Sequence, residues 1–191
     1  MNYVVMSVPT RRGVVEYLRQ HIPNLIVVED DGSGIMVTHQ RALRATNGEP
    51  FVLLEDDVLL TRNFVAKAET VIAERQDDVI TFFSRRKDDL TLGSRYMNPM
   101  AFYMAQCLYF PSGVGPAIAD YHAISPTIEK DPTASDRVIA AWCKQDGRKI
   151  WISVPSLVEH LPLTSAVDTR RSKNRQSLTF SDPENTGNPI L

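Results

Sequence analysis

The sequence predicts an α/β protein with a mostly parallel central sheet flanked by helices. Three observations carry that prediction. The stretch 51–60, FVLLEDDVLL, runs four apolar residues straight into Glu55, Asp56 and Asp57 and then turns apolar again. An unbroken Val, Leu and Phe run of this kind suits a strand buried on both faces of a parallel sheet. Residues 3–8, 11–22 and 25–28 read in turn as strand, helix and strand, a βαβ unit that implies parallel pairing. The chain has 191 residues, 43% of them hydrophobic and 23% charged, enough for one domain with a sizeable core.

Taken in order, residues 3–8 (YVVMSV) form the first expected strand, closed by Pro9-Thr10. Val14, Val15, Leu18 and Ile22 then recur at helical spacing until Pro23-Asn24 breaks the pattern. LIVV at 25–28 is the second strand and ends in Glu29-Asp30-Asp31-Gly32. Ser33-Gly34 reads as a loop, 38–46 as a helix, and Asn47-Gly48-Glu49-Pro50 as a turn. After the acidic strand, 64–74 carries Phe64, Ala68, Val71 and Ile72 on one helical stripe. VITFF at 79–83 is a further strand, and the polar stretch 84–100 reads as a long loop of the kind that tends to carry function. Residues 102–110 (FYMAQCLYF) are expected to be one strand and 114–122 a helix. DPTAS at 131–135 resembles a helix start, followed by an amphipathic helix over 136–145 and a last strand over 150–154. From Leu161 the composition turns polar and basic, so 1–165 is expected to be one folded domain and 166–191 a flexible arm or lid.

A net charge of −2 argues against a wholly basic nucleic-acid binder but leaves room for basic patches. Cys107 and Cys143 have no CxxC spacing and read as reduced thiols, which suits a cytoplasmic protein. The N-terminal MNYVVMSVPTRR lacks the basic region of a signal peptide, and no apolar run approaches a membrane span.

The chemistry is expected at the acidic strand end. Three carboxylates there are costly unless a cation or a hydrogen-bond network meets them. In open α/β sheets, ligands gather at the carboxyl ends of strands. The structural alternative is a plain turn or cap, for which Thr61-Arg62-Asn63 is a suitable continuation. Asp57 and the neutral imidazole of His160 form a donor set that suits manganese, zinc or iron better than calcium. A lone histidine after a strand is otherwise an ordinary polar loop residue.

These segments together resemble a small glycosyltransferase of the GT-A fold, a Rossmann-like α/β fold, of bacterial or phage type. The matching pieces are SVPTRR after the first strand, Glu29-Asp30-Asp31 after the second, LLEDDV, the SDRVIAAW helix start and PSLVEH. They cover roughly residues 1–180 as an order of elements. The EDDV segment is similar to the DxD-type signature of that fold. The resemblance implies an enzyme that moves a sugar from a nucleotide-diphosphate sugar, of UDP-sugar type, to an acceptor hydroxyl. A divalent metal, manganese with magnesium as the alternative, would meet the donor diphosphate. Asp57 and His160 would be its ligands, with Glu55 or Asp56 nearer the ribose. Pro9, Thr10, Arg11 and Asp31 would line the nucleoside pocket. Asp136 would be the base of an inverting enzyme, or would orient the acceptor in a retaining one. Read alone, Asp136 is also a favourable acid at a helix N-terminus.

The basic tail, with Arg170, Arg171, Lys173 and Arg175, would close over the diphosphate. It reads equally as a solvated tail or as a contact to nucleic-acid phosphates. Arg85-Arg86-Lys87 adds a second basic cluster in the long loop, and two such clusters fit an anionic acceptor such as a hydroxymethylated base in phage DNA, placing the enzyme in the host cytoplasm. Saccharide and protein acceptors remain open, and Tyr96, Phe102 and Tyr103 offer stacking surface unless they belong to the core. The competing readings are a non-enzymatic α/β module that binds nucleic acid, and a nucleotidyl-transfer enzyme. Against the latter, SVPTRRG holds only Gly13 where a glycine-rich phosphate loop would be needed.

Overall fold

The computed structural model describes residues 1–125, 135–164 and 175–184. Its strands are β1 (Asn2–Ser7), β2 (Ile26–Glu29), β3 (Phe51–Glu55), β4 (Val58–Leu60), β5 (Val79–Thr81), β6 (Arg95–Met97), β7 (Cys107–Phe110), β8 (Ile150–Ile152) and β9 (Val158–His160). Its helices are α1 (Arg12–His21), α2 (Ile35–Arg44), α3 (Phe64–Glu74), α4 (Asp89–Leu92), α5 (Val114–Ile124) and α6 (Ser135–Gln145). Seven strands form the main sheet in the order β2-β1-β3-β7-β5-β8-β6. β1, β2, β3, β5 and β8 run one way, and β7 and β6 run against them. The sheet is therefore mostly parallel and helix-flanked, as the sequence predicts.

The unbroken apolar runs are explained by packing on both faces. In β1, Tyr3 and Val5 enter one core cluster with α1 and α3, while Val4 and Met6 enter the other with α2, α5 and α6. In β3, Val52 and Leu54 face the first cluster and Phe51 and Leu53 the second; β7 divides in the same way, Cys107 and Tyr109 against Leu108 and Phe110. Successive side chains on a strand point to opposite faces, so a strand covered on both sides has no solvated positions to mark.

The stretch 51–60 is not one strand. Asp56 and Asp57 form a tight turn, and β4 leaves the main sheet to pair antiparallel with β9, Val58 opposite His160 and Leu60 opposite Val158. Tyr17 of α1 holds β4 in place by accepting a hydrogen bond from the Leu60 backbone N–H at 3.1 Å. The expected strand over 102–110 is shortened to Cys107–Phe110, and it lies antiparallel between β3 and β5. The expected long loop over 84–100 contains α4 and the edge strand β6. Part of the basic tail docks on the domain: the Glu184 N–H donates to the Leu60 carbonyl at 2.8 Å, and the Arg62 N–H to that of Asp182 at 2.8 Å. No helix among the described residues is long and apolar enough to cross a membrane.

Candidate active site

β1, β2 and β3 are parallel, so their carboxyl ends share one edge of the sheet, and a pocket opens there. Ser7 and Val8 come from the end of β1, Asp30 from β2, and Glu55, Asp56 and Asp57 from β3. The far wall is the segment Tyr103 to Gln106, with Ser135 and Asp136 from the first turn of α6 and Arg175 from the tail.

Asp56 ties the pocket together. Its carboxylate accepts from the Val8 backbone N–H at 2.7 Å and from Arg11 Nη1 at 2.6 Å. The same Arg11 nitrogen donates to Asp57 Oδ2 at 3.1 Å, and Nη2 donates to the Thr164 carbonyl at 3.0 Å. Burial works against the Arg11 charge, but the two carboxylates more than offset it and hold the guanidinium firmly protonated. His160 Nε2 lies 3.4 Å from Asp57 Oδ2. Pairing across β4 and β9 brings these two residues together, and the Leu161 N–H closes the turn on the Asp57 carbonyl at 2.7 Å. Burial raises the Asp57 pKa, but contact with His160 and Arg11 outweighs it and keeps the carboxyl below its ordinary range.

Glu55 behaves differently. Burial, followed by repulsion from Asp57, Asp56 and Asp136, pushes its pKa up to about 8, with Arg175 opposing. At neutral pH it is largely a neutral acid, able to donate a hydrogen bond. Gln106 Nε2 donates to its Oε2 at 3.2 Å. Asp136 sits partly exposed on the pocket wall, and its Oδ1 accepts from the Arg137 N–H at 2.8 Å, an interaction typical of a helix start.

Arg11, Glu55, Asp56, Asp57 and Asp136 thus line one pocket, with His160 against Asp57. Pro9 and Thr10 stand exposed on a 3-10 turn outside the pocket lining. Asp31 points away and pairs with Arg41 at 2.9 Å, and its neighbour Asp30 takes the place on the wall. Arg170 and Arg171 lie outside the described residues. Asp30 and Gln106 line the pocket without a sequence signal of their own, whereas Arg175 belongs to the basic tail expected to close over the diphosphate. Arg175 was visible only as one member of a basic run, and nothing local distinguishes it from its neighbours.

Among the described residues, no group of three or more His, Cys, Asp or Glu side chains is arranged to hold a metal alone. The pair Asp57 and His160 nevertheless fits a cation whose other ligands come from a bound substrate. Asp57 Oδ1 is buried without a hydrogen-bond partner, and the His160 nitrogen that faces this carboxylate is Nε2, 3.4 Å from Oδ2. Even without Glu55, the described lining carries four aspartates (Asp30, Asp56, Asp57, Asp136) against two cations (Arg11, Arg175). A diphosphate would be repelled by that balance unless added positive charge came with it.

No protein-family model and no curated protein sequence matches the chain. Solved structures do match it. The crystal structure of A197 from STIV aligns with a TM-score of 0.51 at 13% identity, covering 95% of each chain. The structure of S. aureus TarS 1-349 in complex with UDP-GlcNAc aligns with a TM-score of 0.51 at 12% identity, over 95% of this chain and 62% of that one. The chain therefore has a Rossmann-like α/β fold that it shares with these structures, one of them a complex with UDP-GlcNAc. This chain spans less than two thirds of the length of the second neighbour.

Proposed function

We propose that the chain transfers a sugar from a nucleoside diphosphate sugar, of UDP-sugar type, to an acceptor hydroxyl. The observation that carries this reading is Asp57, backed by His160, in an acid-rich pocket at the carboxyl ends of β1–β3. A fold shared with a protein in complex with UDP-GlcNAc supports it. Asp57 and His160 would hold a divalent cation, manganese or magnesium, which when bound supplies Lewis-acid stabilisation of the departing diphosphate. Arg11 keeps Asp57 ionised and adds a fixed positive charge beside the diphosphate, while Arg175 places a second at the opposite wall. Glu55, held by the Gln106 amide, would lie nearer the ribose of the donor. Asp136, across the pocket, accepts the proton of the acceptor hydroxyl.

The test is hydrolysis of a panel of nucleotide sugars by the pure protein, with and without manganese. Manganese-dependent cleavage of one donor is expected, reduced at least about 100-fold by Asp57→Ala, as for loss of a group that stabilises developing charge. His160→Ala should weaken manganese binding in a calorimetric titration with nucleoside diphosphate present. Absence of both cleavage and metal-dependent nucleotide binding would overturn the reading.

A further inference from the structure

Beside the pocket runs an open groove between the segment around Pro99–Ala101 and α6. Arg86, Met100, Phe102 and Tyr103 form one wall, and Arg137 and Ala141 the other. Tyr103 belongs to both the groove and the pocket, so the two are continuous. Asp136 lines the pocket and Arg137, the next residue, lines the groove, so α6 borders both.

The chemistry of this lining is one-sided. Among the described residues that form it, no side chain is a carboxylate or an amide. The polar groups are guanidinium groups, which only donate, and the Tyr103 hydroxyl. A neutral saccharide offers hydroxyls that need acceptors as well as donors, and among the lining side chains only the Tyr103 hydroxyl can accept. An anion with a flat apolar part fits both halves of the lining. Tyr103 is 43% exposed and Met100 58%, so an aromatic ring and an apolar edge face solvent. The guanidinium carbons of Arg85 and Arg86 lie 5.8 and 5.9 Å from the Tyr103 ring centroid. Arg86 Nη1 donates to the Ala101 carbonyl at 3.0 Å, which fixes that arginine at the edge of the ring. On a chain of net charge −2, such a local gathering of cations is not a by-product of overall composition.

We infer that this groove binds a single-stranded nucleic acid, with one base stacked on Tyr103 and the adjoining phosphates against Arg85, Arg86 and Arg137. Stacking on an aromatic ring together with a cationic track is the usual physical basis of such binding. That a hydroxyl of this strand is the acceptor, delivered past Tyr103 to Asp136, rests on the transferase reading above. The binding itself does not.

Fluorescence anisotropy of a labelled single-stranded oligodeoxynucleotide of about 12 nucleotides, long enough to cover one groove, tests it. Binding is expected to weaken roughly 20-fold from about 50 to about 200 mM salt, as three phosphate contacts are screened. An abasic strand of equal length should bind about tenfold more weakly, through loss of one stacked base. Tyr103→Ala should cost the normal strand a similar factor and leave the abasic strand unchanged. Arg86→Gln combined with Arg137→Gln should flatten the salt dependence, and thermal melting of each variant checks that it folds. No binding at low salt, equal affinity for the two strands, or variants indistinguishable from the parent would each overturn the inference. The donor-hydrolysis assay contains no nucleic acid and the anisotropy assay contains no donor, so failure of one reading is distinguishable from failure of the other.

Discussion

Asp136 begins α6 and accepts its neighbour's N–H, so helix stability alone would account for an acid at this position. What separates the two roles is its place on the pocket wall opposite Asp57. Asp136→Asn keeps a good helix start and removes only the basic oxygen. It is expected to lower kcat by roughly 10²–10⁴-fold while leaving the donor KM nearly unchanged. A variant that keeps more than half of the activity would return Asp136 to a purely structural role. The residue types in the pocket were legible in the sequence because three carboxylates ending an apolar run is costly wherever it occurs. Individual partners were less legible. Asp30 and Asp31 are chemically identical neighbours, and only the hydrogen bond from the Asp30 N–H to the Ser7 carbonyl, 2.8 Å, shows which one turns toward β1. The grip of Arg11 on two carboxylates likewise depends on the 3-10 turn at Pro9–Arg11, which sequence patterning does not specify.

At the scale of elements, α2 and α5 pack closely because Gly115 has no side chain. A Cβ there would lie 2.5 Å from the Leu43 carbonyl oxygen and 2.7 Å from Phe51 Cε1. Alanine would gain about 1 kcal/mol of helix propensity over glycine. It would also force apart a backbone carbonyl and a buried ring, at about 1–3 kcal/mol. Overpacking should win, because a backbone atom cannot swing aside. Gly115→Ala is therefore expected to lower the urea midpoint, and a raised midpoint would show that the helices can separate cheaply. Element types followed closely from hydrophobic periodicity, and the βαβ start is where the pattern placed it. The misreadings arose where tertiary context decides. Residues 102–106 are as apolar as a strand, yet they form the wall of the pocket. The pairing of β4 with β9, which brings His160 to Asp57, joins two three-residue strands far apart in sequence and leaves no local signature.

For the whole molecule, the core on the α2, α5 and α6 side contains a weak point. His39 is buried with neither ring nitrogen hydrogen-bonded, and its ring lies 5.7 Å from that of His122. Gln40 Nε2 contacts His122 Nδ1, while His122 Nε2 is also buried without a partner. Burial, then repulsion from His122, pushes the His39 pKa down to about 3. His122 is lowered as well, by burial and then by Arg44. The folded pKa of His39 lies below the unfolded value of about 6.5. The unfolded chain therefore takes up its proton first, and stability that is complete above that pH is lost as the pH falls toward 3. Each pH unit in that window costs up to about 1.4 kcal/mol. Thermal melting between about pH 5 and pH 8 should show a steeper acid loss in the parent than in His39→Gln, and equal slopes would refute this assignment. A different consequence follows from the β4–β9 pairing. More than half of the 191 residues lie between Asp57 and His160, so β9 must be synthesised and released from the ribosome before the two can meet. Nucleotide binding would then report the emergence of β9: a nascent chain halted before it has its acidic turn but no histidine to set against that turn.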